Sequence, residues 1–240
     1  AAAATATATA AAAPGDPLVE WRIVRLLYGD ISKREFHKFF LLASIFFFVI
    51  GSYWLLRPLK DGVFFTLVGG KEFQPYAKMC SVFVVVALVV LYAKLVDMYN
   101  KVTLFYVVSC WFAALLAGIG LLLLHPTVGL ANTKADPRRV LGWATYFTIE
   151  CYGSLMVSMF WSFVSSITDP RSARKGYSIV VGGAQIGAIA GPFAAVNAKA
   201  LGVPALFIVA AGATLLVAAL MRHFVATLPD QLRGAAGGGG

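Results

Sequence analysis

Charge is what this sequence has least of. Asp, Glu, Lys and Arg make up 13% of its 240 residues, where an average soluble domain carries about 25%. So few charges cannot cover a water-soluble fold of this length, and that excludes a soluble enzyme. Cysteine is scarce as well: Cys80, Cys110 and Cys151 lie far apart, in or beside apolar runs. They read as buried small residues, without the spacing of a disulfide framework or a metal site. Histidine is limited to His37, His125 and His223, all near the ends of apolar runs. With no HExxH, no CxxC and no GxxxxGK[ST], no metal and no cofactor is implied. Acids are the rarer charge, 11 against 20 bases, for a net charge of +9. The cations fall between apolar runs, with no Lys/Arg cluster alternating with aromatics. Nucleic acid is therefore not an expected partner, while loop anchoring at a membrane and an anionic ligand are.

What the sequence has in excess is apolar length, with 60% of residues hydrophobic. Six runs stand out, at 39–56 (with possible helical continuation through 57–67), 79–95, 102–124, 141–167, 177–198 and 201–221. Crossing a bilayer takes about 20 residues, so the expected fold is an all-α membrane protein of six transmembrane helices. Membrane lipid is the first expected partner. Ser32 and Glu35 have the spacing of a capping box before the first run. Asp136-Pro137 and Asp169-Pro170 place a cap and a first-turn proline before the fourth and fifth. Of the Lys and Arg residues, 12 fall on the side of the termini and 8 on the other, which predicts both termini inside.

Four segments follow from this pattern. Residues 1–15 are an Ala/Thr-rich stretch expected to be disordered, with the composition of a transit-peptide remnant. Residues 16–32 mix Trp21, Val24, Leu27 and Tyr28 with Arg22 and Arg25, as in an amphipathic segment lying at the membrane interface; a short packing helix is the other reading. Residues 33–225 form the six-helix domain. Residues 226–240 read as a flexible Gly-rich tail, a composition that suggests further protein beyond it.

Ionisable groups inside a span are costly and usually face the protein interior or a water-filled cavity. Two places hold them. Arg57-Pro58-Leu59-Lys60-Asp61 closes the first run, and apolar residues resume at Val63. Arg57 and Asp61 are four apart and can pair on a helix, with Lys60 on the same broad face. Pro58 removes a backbone bond and predicts a kink about one turn earlier, near Trp54. Glu150 lies about ten residues inside the fourth run, so it must be protonated, hydrated or paired, and Lys60 is its natural partner. In the fifth run Gly183, Gly187 and Gly191 recur every fourth residue, a ladder that lets another helix approach closely. Gln185 in the same run is a candidate for cross-helix bonding or for a ligand.

These residues resemble a known family. KFFLLASIFFFVIGSYWLLRPLKD is similar to the close of the first helix in the ATP/ADP translocases of plastids and obligate intracellular bacteria, keeping Arg57, Lys60 and Asp61. IECYGSLMVSMFWSF resembles that family's Glu-x-x-Gly-Ser pattern in Glu150, Gly153, Ser154, Ser158, Phe160 and Trp161. ARKGYSIVVGGAQIGAIAG continues the likeness. The resemblance implies a fold like one half of a major facilitator superfamily transporter, with Lys60, Glu150, Arg57 and Asp61 as substrate-binding positions. It implies ATP or ADP as the nucleotide substrate, exchanged by antiport, in a plastid or other organelle inner membrane more than a bacterial one. Family members have about twelve spans in two halves, so it also implies a second transporter half or partner membrane subunits. Pro58 stands where the family has an acid, and Ser165-Ser166 where Asn and an acid are usual. The other reading is a transporter-derived structural subunit of a larger organelle complex.

Overall fold

The computed structural model describes residues 32–228, and among these every regular element is a helix. In chain order they are α1 (Lys33–Leu67), α2 (Phe73–Met98), α3 (Lys101–Leu123), α4 (Val140–Ser166), α5 (Pro170–Val196), the single turn α6 (Ala198–Leu201) and α7 (Val203–Thr227). Six are long and apolar enough to cross a membrane. The expected segments 1–15 and 16–32 and the tail from 229 onward lie outside the described residues, apart from Ser32 itself.

The helices outrun the apolar runs, mostly at their polar ends. α1 begins at Lys33 because the capping box forms: the Ser32 hydroxyl accepts from the Glu35 amide at 3.2 Å, and the Glu35 carboxylate accepts from the Ser32 amide at 3.3 Å. At 35 residues the helix is about 52 Å long, well beyond a hydrocarbon core of about 30 Å. It continues through Pro58 as a single helix. Asn100 caps α3 by accepting from the Val102 amide at 3.0 Å. Asp169 is the N-cap residue of α5, with Pro170 in its first turn. Asp136 behaves differently from expectation. It accepts from the Arg138 amide at 2.8 Å, closing a turn, and α4 starts only at Val140. At Gly202 the backbone adopts φ 84° and separates α6 from α7, a conformation in which any Cβ is strained.

Among lipid tails no hydrophobic force drives helices together, so close packing has to do it. The tightest pair is α1 with α5, followed by α3 with α7; α1 also touches α4 and α7, and α2 leans on α4. The glycine ladder makes the first pair. A Cβ on Gly183 would lie 2.7 Å from the Ala43 carbonyl oxygen, and one on Gly187 or Gly191 would overlap the Phe47 or Gly51 carbonyl. Gln185, by contrast, is exposed. α1 and α4 run antiparallel, since the Asp136 amide donates to the Leu67 carbonyl at 3.0 Å and Gly142 lies under Val68. Their other ends meet through Phe46, which stacks on Phe160 at 4.2 Å with the rings 3° from parallel.

Candidate functional site

The α1–α4 seam holds the charged groups. α1 brings Tyr53, Trp54, Arg57, Lys60, Asp61 and Phe64 along one broad face, at the three- and four-residue steps of a helix. α4 opposes it with Trp143, Tyr146, Glu150 and Gly153. Gly153 has no side chain because the Tyr53 ring occupies that space. Phe64 meets Trp143 and Tyr146 edge to face, both at 5.2 Å. These contacts clamp the two helices on either side of the charges.

Between the clamps, the Lys60 ammonium donates to Glu150 Oε1 and forms a salt bridge with it. The Lys60 side chain is 5% exposed and that of Glu150 27%. The same ammonium lies 4.2 Å from the centre of the Tyr146 ring, which adds cation–π attraction. Asp61 Oδ1 is 3.9 Å from Lys60 and accepts from Gln74 Nε2 at 3.3 Å. Counting residues, Lys60 is about 10 Å from the end of α1 and Glu150 about 15 Å from the start of α4. Both charges therefore lie inside helices and not in a connecting loop. A buried ion pair costs several kcal/mol per ion in desolvation, and losing one partner costs about 3–5 kcal/mol. Lys60 and Glu150 thus hold each other in place.

All four charged positions read from the sequence meet at this seam, with one difference. Arg57 does not pair with Asp61; its guanidinium lies over the Trp54 ring, 4.9 Å from the centre, on an exposed part of α1. Lys60, one residue away and buried, is the cation nearest Asp61. Three participants were not anticipated. Tyr146 lies one turn before Glu150 on the same helix, a signal the sequence offered. Gln74 belongs to the polar first turn of α2, which no periodicity marks. Lys38 is buried and donates to the Ile167 carbonyl at 2.6 Å, binding the start of α1 to the end of α4.

Tyr146 is fully buried, and its hydroxyl has no hydrogen-bond partner among the described residues. A buried hydroxyl in that state costs about 1–3 kcal/mol. Among the described residues no group of His, Cys, Asp and Glu could hold a metal ion. A cavity of about 860 Å³ lies elsewhere, between α2, α3 and α4, and is lined mostly by apolar side chains. What the α1–α4 site offers is a caged cation, a partly exposed acid beside it, and an exposed guanidinium one turn away.

The sequence was also compared with known proteins. The profile of the family described as TLC ATP/ADP transporter matches residues 20–137, a stretch that takes in Arg57, Lys60 and Asp61 and ends before Glu150. ADP,ATP carrier protein 1 of Rickettsia bellii (strain RML369-C) is 30% identical over 177 residues, covering 65% of this chain and 35% of the relative. ADP,ATP carrier protein 1 of Chlamydia muridarum (strain MoPn / Nigg) is 31% identical over 190 residues, covering 70% and 36%. The Plastidic ATP/ADP-transporter of Solanum tuberosum is 30% identical over 200 residues, covering 74% and 31%. The chain thus matches about a third of the length of these curated relatives. The relatives are named for transport and not for catalysis. No solved structure matches. By its sequence, then, this membrane protein, with six helices able to cross a membrane among its described residues, is related to the TLC ATP/ADP transporter family.

Proposed function

We propose that the chain works as a nucleotide carrier, exchanging ATP and ADP by antiport, with Lys60 and Glu150 as the centre of its substrate site. The observation that carries this reading is the buried Lys60–Glu150 pair in a chain related to ATP/ADP transporters. The names of those relatives supply the substrate; the pair supplies a physical means of binding it. In the empty site Glu150 neutralises Lys60 and makes a buried ammonium tolerable. An arriving polyphosphate competes with Glu150 for that ammonium, which acts as a compact point charge. Arg57, exposed over Trp54, is placed to meet a second phosphate, and its fork suits bidentate contact. Asp61, held by Gln74, keeps Lys60 oriented. Exchange follows if the empty carrier is locked: the Lys60–Glu150 bridge ties α1 to α4, and only an arriving nucleotide breaks it and lets the site change sides. Alternation between the two sides would then proceed by rocking of helices around the fixed site, in a fold resembling half of a major facilitator transporter.

The test is uptake of labelled ATP into vesicles containing the full chain, with ADP inside. Lys60→Ala is expected to abolish uptake and Glu150→Gln to reduce it at least tenfold, with insertion of both variants checked by protease protection. Undiminished uptake by an inserted Lys60→Ala protein would remove the reading.

A further inference from the structure

The two cations of the α1–α4 seam give a bound polyphosphate a direction. Arg57 lies about 4.5 Å before Lys60 along α1. α1 and α4 run antiparallel, with Leu67 at Asp136, Tyr53 at Gly153 and Phe46 at Phe160. Moving from Lys60 to Arg57 on α1 therefore means moving forward along α4 from Glu150. That stretch of α4 carries Ser154, Ser158 and Trp161, each with part of its surface open. Trp161 comes eleven residues after Glu150, which is about three turns and hence the same face, about 16 Å along the axis. A nucleoside triphosphate stretched from Lys60 past Arg57 carries its base a comparable distance from its last phosphate. The aromatic side chains on the other side of Glu150 do not fit this reach. Phe147 and Trp143 lie only about 5 and 10 Å from it along α4, in the direction away from Arg57.

Trp161 is also held still. Its ring meets Phe46 of α1 at 5.4 Å, Phe160 at 5.7 Å and Tyr177 of α5 at 5.4 Å, each edge to face. Three helices thus fix one indole, and part of it is still open. A side chain already fixed loses little freedom when a ligand settles on it. A tryptophan near the end of a span is commonly an interfacial anchor, but an anchor needs neither this clamp nor a shared face with Glu150. The small side chains of Ser154 and Ser158 leave the path between the charges and the indole unobstructed. The Ser158 hydroxyl donates to the Ser154 carbonyl at 2.8 Å, which leaves its oxygen able to accept from a sugar hydroxyl.

We propose that Trp161, braced by Tyr177, is the platform on which the base of the nucleotide stacks while Lys60 and Arg57 hold its phosphates. This rests on the nucleotide reading above and adds the end of the substrate that the cations do not touch. A base stacked on an aromatic ring gains roughly tenfold or more in affinity.

The test uses vesicles carrying the full chain and loaded with ADP. Uptake of labelled ATP is measured with and without inorganic tripolyphosphate, which has the phosphates and no base. Trp161→Leu is expected to raise the KM for ATP about tenfold or more, with the maximal rate little changed, and to leave inhibition by tripolyphosphate unaltered. Trp161→Phe keeps a ring and should stay nearer the unaltered chain. Weakening of ATP and tripolyphosphate alike, or of neither, would overturn the platform. Photolabelling of the unaltered chain with 2-azido-ATP, which reacts through its base, needs no variant to fold. Label is expected between 158 and 177, and label confined to the neighbourhood of Trp143 and Phe147 would overturn the proposal. An unaltered chain that neither takes up ATP nor takes label from the probe would remove the nucleotide reading itself, and the platform with it.

Discussion

At the residue scale the central object is a lysine that would not be buried without its acid. Lys60 and Glu150 were legible as a pair because each is too costly to leave facing lipid, and no other acid lies so deep in a span. Arg57 and Asp61 illustrate the limit of spacing arguments. They are four apart and free to pair, yet the guanidinium rests on Trp54 and the carboxylate accepts from Gln74. Spacing decides who can meet; burial and the neighbouring helix decide who does. Lys60→Met combined with Glu150→Leu should leave thermal stability within about 2 kcal/mol, since apolar replacement of a whole buried pair is often neutral or stabilising. Either single change should cost about 3–5 kcal/mol. Thermal melts in detergent separate the two cases, and additive single effects would mean the pair does not exist. Tyr146 gives a second residue-scale prediction. Its ring lies under Lys60 and its buried hydroxyl has no hydrogen-bond partner among the described residues, so Tyr146→Phe should preserve or slightly raise stability. If nucleotide phosphate takes that hydroxyl, the same change should raise KM for ATP several-fold with the maximal rate little altered. An unchanged KM would leave the hydroxyl without a role in binding.

At the element scale, packing is set by where side chains are missing. Gly187 lies against the Phe47 carbonyl, whereas Gly182 has nothing within 4 Å of the place a Cβ would occupy. Gly187→Ala should therefore destabilise the protein by about 1–3 kcal/mol through overpacking of α1 on α5. Gly182→Ala should be neutral, or stabilising by up to about 1 kcal/mol from helix propensity. Equal melts for the two would refute the close approach. The long α3–α4 connection is organised by Arg139, whose guanidinium donates to the carbonyls of Val128, Gly129, Asn132 and Lys134 at 2.6–3.2 Å. Arg139→Ala leaves four carbonyls without that donor and should raise the rate of proteolytic cutting between 125 and 139 at least several-fold. The existence of each span was readable from apolar runs, and the ladder from its four-residue step. The starts of α1 and α5 were readable from their caps, Ser32 with Glu35 and Asp169-Pro170, and not from the runs. α1 begins six residues, and α5 seven, before the apolar runs read at 39 and 177. A run-based reading ends at the edge of the hydrocarbon, while the helix continues among charged residues in the headgroup layer. Asp136 misled for a related reason: a turn accepts the same side-chain oxygen as a helix cap does.

At the scale of the whole molecule, six spans imply that alternate connections lie on opposite sides of the membrane. The structure agrees with the distribution of cations in one respect. The start of α1, the α4–α5 turn, the α2–α3 turn and the end of α7 share one end of the bundle, and Lys38 with Ile167 and Glu35 with Ser172 tie the first two together. Cysteines placed at Arg171 and at Thr133 in a cysteine-free background should label with a membrane-impermeant maleimide from opposite sides. Labelling of both from the same side would contradict the topology. Function at this scale rests on whether Lys60 and Glu150 serve a substrate or only the fold, and exchanging the two charges separates these roles. Lys60→Glu with Glu150→Lys retains an ion pair at the same seam while placing an acid where phosphate should meet a cation. The decisive measurement is exchange of external labelled ATP for internal ADP in vesicles carrying this doubly substituted chain, with its melting temperature taken alongside. A chain that inserts and melts within a few degrees of the unaltered protein but has lost exchange is the predicted result. Exchange at the unaltered rate would show that the pair is structural only and would contradict a nucleotide site at Lys60.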